Sequence, residues 1–279
     1  MNILEFTLAV AAIAALAGFL GALTGLGGGV VITPALTLLL GVDIRYAIGA
    51  TLVSVIATSS GAAAAYVREG FSNIRVGMFL EVATTTGAVL GAYIAMRTPS
   101  SALAVIFGGV LLASAWLTWR RPASTAEIKP PDPLACRLKL NGSYPTITGE
   151  RRYNVRRVKT GFGLMFGAGT LGGLLGLGSG AMKVMAMDQA MRLPFKVSTT
   201  TSNFMIGVTA AASAGVYLRR GYIDPGLAMP VTLGVLAGAT VGARFLAKAQ
   251  PRLLRLVFAI VVAVLALRMI WAGVTGGLG

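Results

Sequence analysis

Two glycine clusters 151 residues apart constrain this chain more than any other feature: Gly25-Leu26-Gly27-Gly28-Gly29 and Gly176-Leu177-Gly178-Ser179-Gly180. The same offset pairs Gly18 with Gly169, Gly21 with Gly172, Tyr66 with Tyr217, Arg68 with Arg219 and Gly87 with Gly238. Clustered glycines break or thin a helix, because they cost conformational entropy and expose backbone. The chain around them is 56% hydrophobic and only 12% charged, with a mean hydropathy of +0.79. A soluble domain of 279 residues has no way to cover so much apolar surface. A duplicated membrane protein with an interrupted segment at the same place in each half is the reading that follows.

Long apolar stretches fall at about 6–24, 46–67, 76–96, 101–119, 161–177, 197–218, 226–247 and 253–272. Each is near the roughly 20 residues that an α-helix needs to cross a bilayer. Two shorter segments, 30–42 and 181–195, follow the glycine clusters and read as half-helices or re-entrant pieces. The expected fold is an all-α polytopic membrane protein with two homologous helical repeats and about 8–10 membrane helices. The first repeat covers 1–119, a basic central loop 120–160, and the second repeat 161–279. The first apolar stretch lacks the basic start of a secretory signal and is counted as a helix of the fold.

Ten of the 24 basic residues lie between Arg120 and Lys159, which reads as a cytoplasmic loop obeying the positive-inside rule rather than a nucleic-acid surface. Anionic lipid is compatible with the same charge. If the short segments complete crossings, the halves are inverted and basic residues split about 18 to 5 across the membrane. If they do not, the halves are parallel and the split is about 15 to 8, so charge favours inversion. The loop begins Pro-rich (Pro122, Pro130, Pro131, Pro133), as an extended linker does. Its second part alternates around Asn141-Gly142-Ser143, as in a short hairpin on the membrane surface.

The chain has no His and a single Cys136, which excludes a disulfide framework and makes metalloenzyme or His-based hydrolase chemistry a poor fit. No cofactor or metal site is expected, and no enzymatic activity. The candidate chemistry lies inside the spans. Broken backbone at membrane depth is tolerated only when buried in protein or lining a cavity. Gly25, Gly27, Gly28, Gly29, Gly176, Gly178, Ser179 and Gly180 are therefore candidate substrate-binding positions, against close helix packing as the plainer alternative. Gly87-x-x-x-Gly91 and Gly238-x-x-x-Gly242 are read as helix contacts. Hydroxyl-rich spans add Thr51 and Ser202, and Asn203 needs a partner or polar ligand if buried. Lys183, three residues beyond Gly180, either meets an anion or snorkels to an interface. Glu81 and Asp188 are the acidic candidates for proton or ion coupling, or for pairing a basic residue, with Glu81 placed near a membrane surface by its closeness to Arg75. Arg45 and Lys196 pair at the repeat offset and read as interface anchors or as guides for an anion.

GLTGLGGGVVITPAL followed by ATLVSVIATSSGAAAAYVREG, and LLGLGSGAMKVMAM followed by VSTTTSNFMIGVTAAASAGVYLRRGYID, resemble the TauE/SafE family of sulfite and organosulfonate exporters. The resemblance covers both membrane halves and leaves out the basic insert. It implies a transporter of small sulfur-containing anions in a cell (inner) membrane. The two glycine clusters would form its central loops, with Thr51 and Ser202 on the neighbouring helices. Lys183 departs from the apolar or small residue the family pattern leads one to expect there. A passive anion channel, or a receptor or scaffold binding an anion without flux, are the alternatives. The anion, the direction of transport and the oligomeric state, a homodimer included, are left open.

Overall fold

The structure is a computed structural model and describes residues 2–24, 29–68, 71–119, 132–146, 149–246 and 251–276. Eight long helices form within or around the eight apolar stretches. They are α1 (Ile3–Thr24), α3 (Ile44–Arg68), α4 (Ile74–Arg97), α5 (Ser100–Trp119), α7 (Val158–Leu175), α9 (Phe195–Arg219), α10 (Pro225–Leu246) and α11 (Pro251–Thr275). Between them lie α2 (Gly29–Leu40), α6 (Pro133–Arg137), α8 (Gly180–Met185) and a π-helical turn, Ala186–Ala190. Twenty-two residues of helix span about 33 Å, the thickness of a bilayer's hydrocarbon core. Among the described residues, Ile3–Gly21, Ile74–Arg97 and Pro225–Gly242 are long and apolar enough to cross a membrane on those grounds alone. Shorter apolar helical stretches occur at Gly29–Leu40, Ile44–Ser60, Ser100–Trp116 and Ala259–Thr275. Exposed Leu8, Leu16, Val82, Leu233, Leu267 and Trp271 give the bundle an apolar outer surface.

The helix ends follow local chemistry. Asn73 caps α4, its side-chain oxygen accepting from the Val76 N–H at 3.0 Å. Thr98 ends α4 in an extended conformation, as a residue before proline must. Asp224 accepts from the Gly226 N–H at 2.9 Å where Pro225 opens α10.

Close pairing of helices organises the bundle. A Cβ on Gly234 would overlap the Ala11 carbonyl and one on Gly238 the Ala15 carbonyl, so α1 and α10 run in the same direction. Gly87 meets Phe166 and Gly91 meets Thr170 in the same way, which makes α4 and α7 parallel. Gly87, Gly91 and Gly238 thus act as the helix contacts expected of them. By contrast α3 and α9 are antiparallel, with Gly49 against Tyr222 and Ser59 against Gly207. So are α5 and α11, with Gly108 against Ala266 and Gly273 against Ser101.

The central loop holds a hairpin, but not about Asn141-Gly142. Strand β1 (Gly142–Thr146) pairs antiparallel with β2 (Gly149–Tyr153), so the chain reverses between residues 146 and 149. Asn141 stands at the opposite end of the ladder, where its side-chain oxygen accepts from the Val155 N–H at 2.8 Å. Pro133 does not continue an extended linker either. Asp132 caps α6 by accepting from the Leu134 N–H at 2.9 Å, and Pro133 takes the first helical position, where a missing N–H costs nothing. Pro122, Pro130 and Pro131 lie outside the described residues. Ala135, Leu140, Tyr153 and Val155 are buried against Val76, Leu80, Val158, Met187 and Met191, which seats the loop on one end of the bundle.

Candidate functional site

Helix α7 ends at Leu175, and the chain then turns through Gly176, Gly178 and Ser179 with φ of 68°, 62° and 49°. This left-handed region is inexpensive for glycine and strained for serine. The turn is packed from both sides. A Cβ on Gly176 would fall 2.6 Å from the Ile48 side chain, and one on Gly178 2.8 Å from that of Ile206. Gly29, at the start of α2, faces Thr51 and Val55 on the same stretch of α3, with the Gly176 carbonyl close by. Gly29 and the second glycine cluster therefore converge on the same stretch of α3. Gly25, Gly27 and Gly28 lie outside the described residues.

Buried hydroxyls surround this point. Thr51 shares a 2.9 Å hydrogen bond with Thr33, and Ser202 on α9 donates to the Gly180 carbonyl at 3.3 Å. The buried Ser179 hydroxyl has no hydrogen-bond partner. It lines a narrow crevice with Val30, Leu111, Gly172, Gly180 and Val262, walls that are almost wholly apolar. Asn203 is only partly buried, and no hydrogen bond of its side chain occurs among the described contacts.

Lys183 is fully buried on α8 and does not snorkel. Its ammonium donates to the Met205 carbonyl at 3.3 Å and to the Thr209 hydroxyl at 2.5 Å. Thr209 in turn donates to Glu81 Oε1 at 2.6 Å, and Thr85 donates to the same oxygen at 3.0 Å. Glu81 is accordingly not a surface group beside Arg75: it is 8% exposed, and its Oε2 is buried without a hydrogen-bond partner. Arg75 instead reaches towards the Lys139 carbonyl, at 3.5 Å. Asp188 sits on the π-helical turn, partly exposed. Arg45 and Lys196 are at helix starts. Arg45 is held by the Thr98 carbonyl at 2.6 Å and lies 5.8 Å from the Tyr222 ring centre, and Lys196 lies over Phe71.

Thr33 and the linking role of Thr209 are the parts that sequence reasoning missed. One signal was available for Thr209. Lys183 and Glu81 are an acid and a base in apolar surroundings, and buried opposite charges seek each other or a bridging polar group. No group of three or more His, Cys, Asp or Glu able to hold a metal occurs among the described residues.

Comparison with known proteins agrees with the bundle. The family "Sulfite exporter TauE/SafE" matches residues 10–269. "Probable membrane transporter protein YunE" of Bacillus subtilis (strain 168) is 27% identical over 270 residues, covering 93% of this chain and 95% of its own. "Probable membrane transporter protein YdhB" of the same organism is 28% identical, covering 82% and 84%. A "Probable membrane transporter protein" of Xylella fastidiosa (strain 9a5c) is 27% identical, covering 92% of each chain. No solved structure matches. A family match that spans nearly every helix of this multi-pass membrane protein, from residue 10 to 269, places the chain in the TauE/SafE family.

Proposed function

We propose that the chain is a secondary transporter of small sulfur-containing anions, working as an exporter by alternating access around the two glycine-broken segments. The observation that carries this reading is the convergence of Gly29, against Thr51 and Val55, and of the Gly176–Gly178 turn, against Ile48 and Val55, on one stretch of α3. A backbone break that meets the start of a half-helix at one buried place forms a natural substrate site at the junction of two halves. Gly29, Gly176, Gly178, Ser179, Gly180, Thr51 and Ser202 surround that place. Gly25, Gly27 and Gly28 adjoin it in sequence, and Asn203 stands one residue beyond Ser202. The unpartnered Ser179 hydroxyl is a donor that an anion oxygen would satisfy. The apolar crevice beside it suits the carbon end of a short sulfonate.

In this reading residues 1–119 and 161–279 are inverted repeats. Antiparallel packing of α3 on α9 and of α5 on α11 supports this, since each pair occupies matching positions at the 151-residue offset. The 120–160 loop is cytoplasmic and the membrane is the inner one, as the basic charge argues. Flux into proteoliposomes tests the proposal with sulfite, thiosulfate, sulfate and short sulfonates, with and without a pH gradient. Saturable movement of a sulfur anion against its gradient is the expected result. Conductance without accumulation would make it a channel, and binding without flux a receptor.

A further inference from the structure

We propose that Glu81, Thr209 and Lys183 form the proton-coupling site of this transporter: the Glu81 carboxylate takes up one proton as a substrate monoanion settles beside the Lys183 ammonium. One proton then travels with each anion. The inference rests on anion transport as proposed above.

The three residues come from different parts of the chain. Glu81 is on α4, Lys183 on α8 and Thr209 on α9, and the Thr209 hydroxyl accepts from the ammonium while donating to the carboxylate. Lys183 reaches Glu81 through that hydroxyl, and the pair is neutral as a whole. Two of the three ammonium N–H groups are used, by Met205 and Thr209, which leaves one for an incoming oxygen. On the carboxylate, Oε1 accepts from Thr85 and Thr209, whereas Oε2 is buried and unpartnered. A buried acceptor left without a donor is costly, and Oε2 is where a proton removes that cost. The small exposure of Glu81 opens onto a crevice walled by Met78, Val82, Phe204 and Val208.

The other charged groups on the packed elements lie elsewhere. On α4 itself, Arg75 reaches towards Lys139, and Arg97 closes the far end of the helix. Lys159 on α7 is exposed, and Lys196 on α9 lies on the Phe71 ring. Arg219 is at the far end of α9, and Asp188 is on the π-helical turn, partly exposed.

Charge balance gives the stoichiometry. With Glu81 ionised, the site holds one positive and one negative charge and has no net attraction for an anion. Adding a monoanion restores neutrality only if Glu81 gains a proton, so each ligand tightens the binding of the other. Positions 151 residues away hold Thr232, Thr58 and Ile32, which carry no charge, so the repeat does not duplicate this charged link. Direction then follows the gradients: export requires an internal anion excess of about tenfold for each pH unit of external acidity.

Ethanesulfonate is the probe of choice, because as a strong-acid anion it binds no proton of its own near neutral pH. The first experiment is difference infrared spectroscopy of the purified protein on adding ethanesulfonate. A protonated-carboxyl band should appear in the wild type and be absent from Glu81→Gln; no such band in the wild type overturns the inference. The second is uptake into proteoliposomes, where an outside-acid gradient of one pH unit should drive about tenfold accumulation. In Glu81→Gln, whatever ethanesulfonate exchange remains under equal concentrations should be indifferent to pH and should support no accumulation. Gradient-driven accumulation by Glu81→Gln, or wild-type flux indifferent to pH, overturns the coupling site and leaves transport standing. The band without any flux sinks the transport reading instead. If Glu81→Gln does not fold, Thr209→Val tests the same link: its accumulation per unit of exchange should fall by at least half, and an unchanged ratio counts against the proposal.

Discussion

The Lys196 ammonium lies 3.6 Å from the centre of the Phe71 ring. Arg45 and Tyr222, at the same offset of 151, make the corresponding contact at 5.8 Å. In each case a cation at the start of one helix of the α3/α9 pair covers a ring just beyond the end of the other. Because α3 and α9 are antiparallel, the two contacts lie at opposite ends of the pair. The two contacts thus cover corresponding corners of the α3/α9 pair.

The first prediction concerns sidedness. In a Cys136→Ser background, Arg68→Cys and Arg219→Cys should react with an impermeant thiol reagent from opposite faces of the membrane. Cys136 is exposed and must be removed first. Labelling of both from one face would rule out inverted halves. Lys196→Ala should cost only about 0.5–1 kcal/mol in a thermal-unfolding series, the usual worth of an exposed cation–π contact.

Backbone contact between helices gives a second, larger effect. Gly91 on α4 leaves no room for a Cβ beside the Thr170 carbonyl, and Gly173 none beside that of Ala88. Gly91→Leu or Gly173→Leu should destabilise the protein by at least about 2 kcal/mol, seen as loss of the monodisperse species in detergent. Gly163, on the same helix α7 but with nothing within 4 Å of a built Cβ, should accept alanine with an unchanged unfolding temperature.

Removing one end of the charged link should harm folding more than removing both. Lys183→Met leaves the Glu81 carboxylate buried without its cation, a cost of about 3–5 kcal/mol. Lys183→Met with Glu81→Gln should recover much of that loss, because neither buried charge remains. A double-mutant cycle on thermal stability reads the coupling directly, and strict additivity would show that the residues do not interact.

Asn73 joins three elements at once. It caps α4, donates its backbone N–H to the Thr201 hydroxyl at 3.0 Å, and donates from its side chain to the Leu140 carbonyl at 2.9 Å and to the Tyr153 hydroxyl at 2.7 Å. Burial pushes the Tyr153 phenol above its ordinary pKa, against the opposing pull of Asn73, so it stays a neutral partner at physiological pH. Asn73→Ala should lower stability by about 1 kcal/mol through the lost cap alone. It should also loosen the β1–β2 hairpin, measured as faster proteolysis within residues 132–155. Faster cleavage without any change in unfolding temperature would separate hairpin docking from capping.

Much of this arrangement was legible in the residues. The stretch read as 76–96 is the helix Ile74–Arg97, and 197–218 is Phe195–Arg219. Length and apolar character are local properties, and a bilayer reads them segment by segment. The breaks at Gly176 and Gly178 were equally visible, since a run of glycines weakens any helix whatever surrounds it. The hairpin was legible as alternation, but its turn was not, because Asn141-Gly142 is a strong local turn signal that tertiary contacts overrode. Asn141 is instead engaged by the Val155 N–H.

The sequence by itself determined the membrane class, the positions of the long helices, the short segments after the glycine clusters and the family to which the motifs belong. Each follows from interactions between residues close in the chain, or between a segment and its solvent. Only the tertiary structure decided that Gly29 and Gly176 meet on α3, that α3 and α9 run antiparallel, and that Glu81 and Lys183 share one hydroxyl. Those facts join residues 100 or more positions apart, roughly, on helices whose order and direction no local pattern fixes. Close packing of Gly87 on Phe166 and of Gly238 on Ala15 sets that order, and with it which buried charge finds which partner.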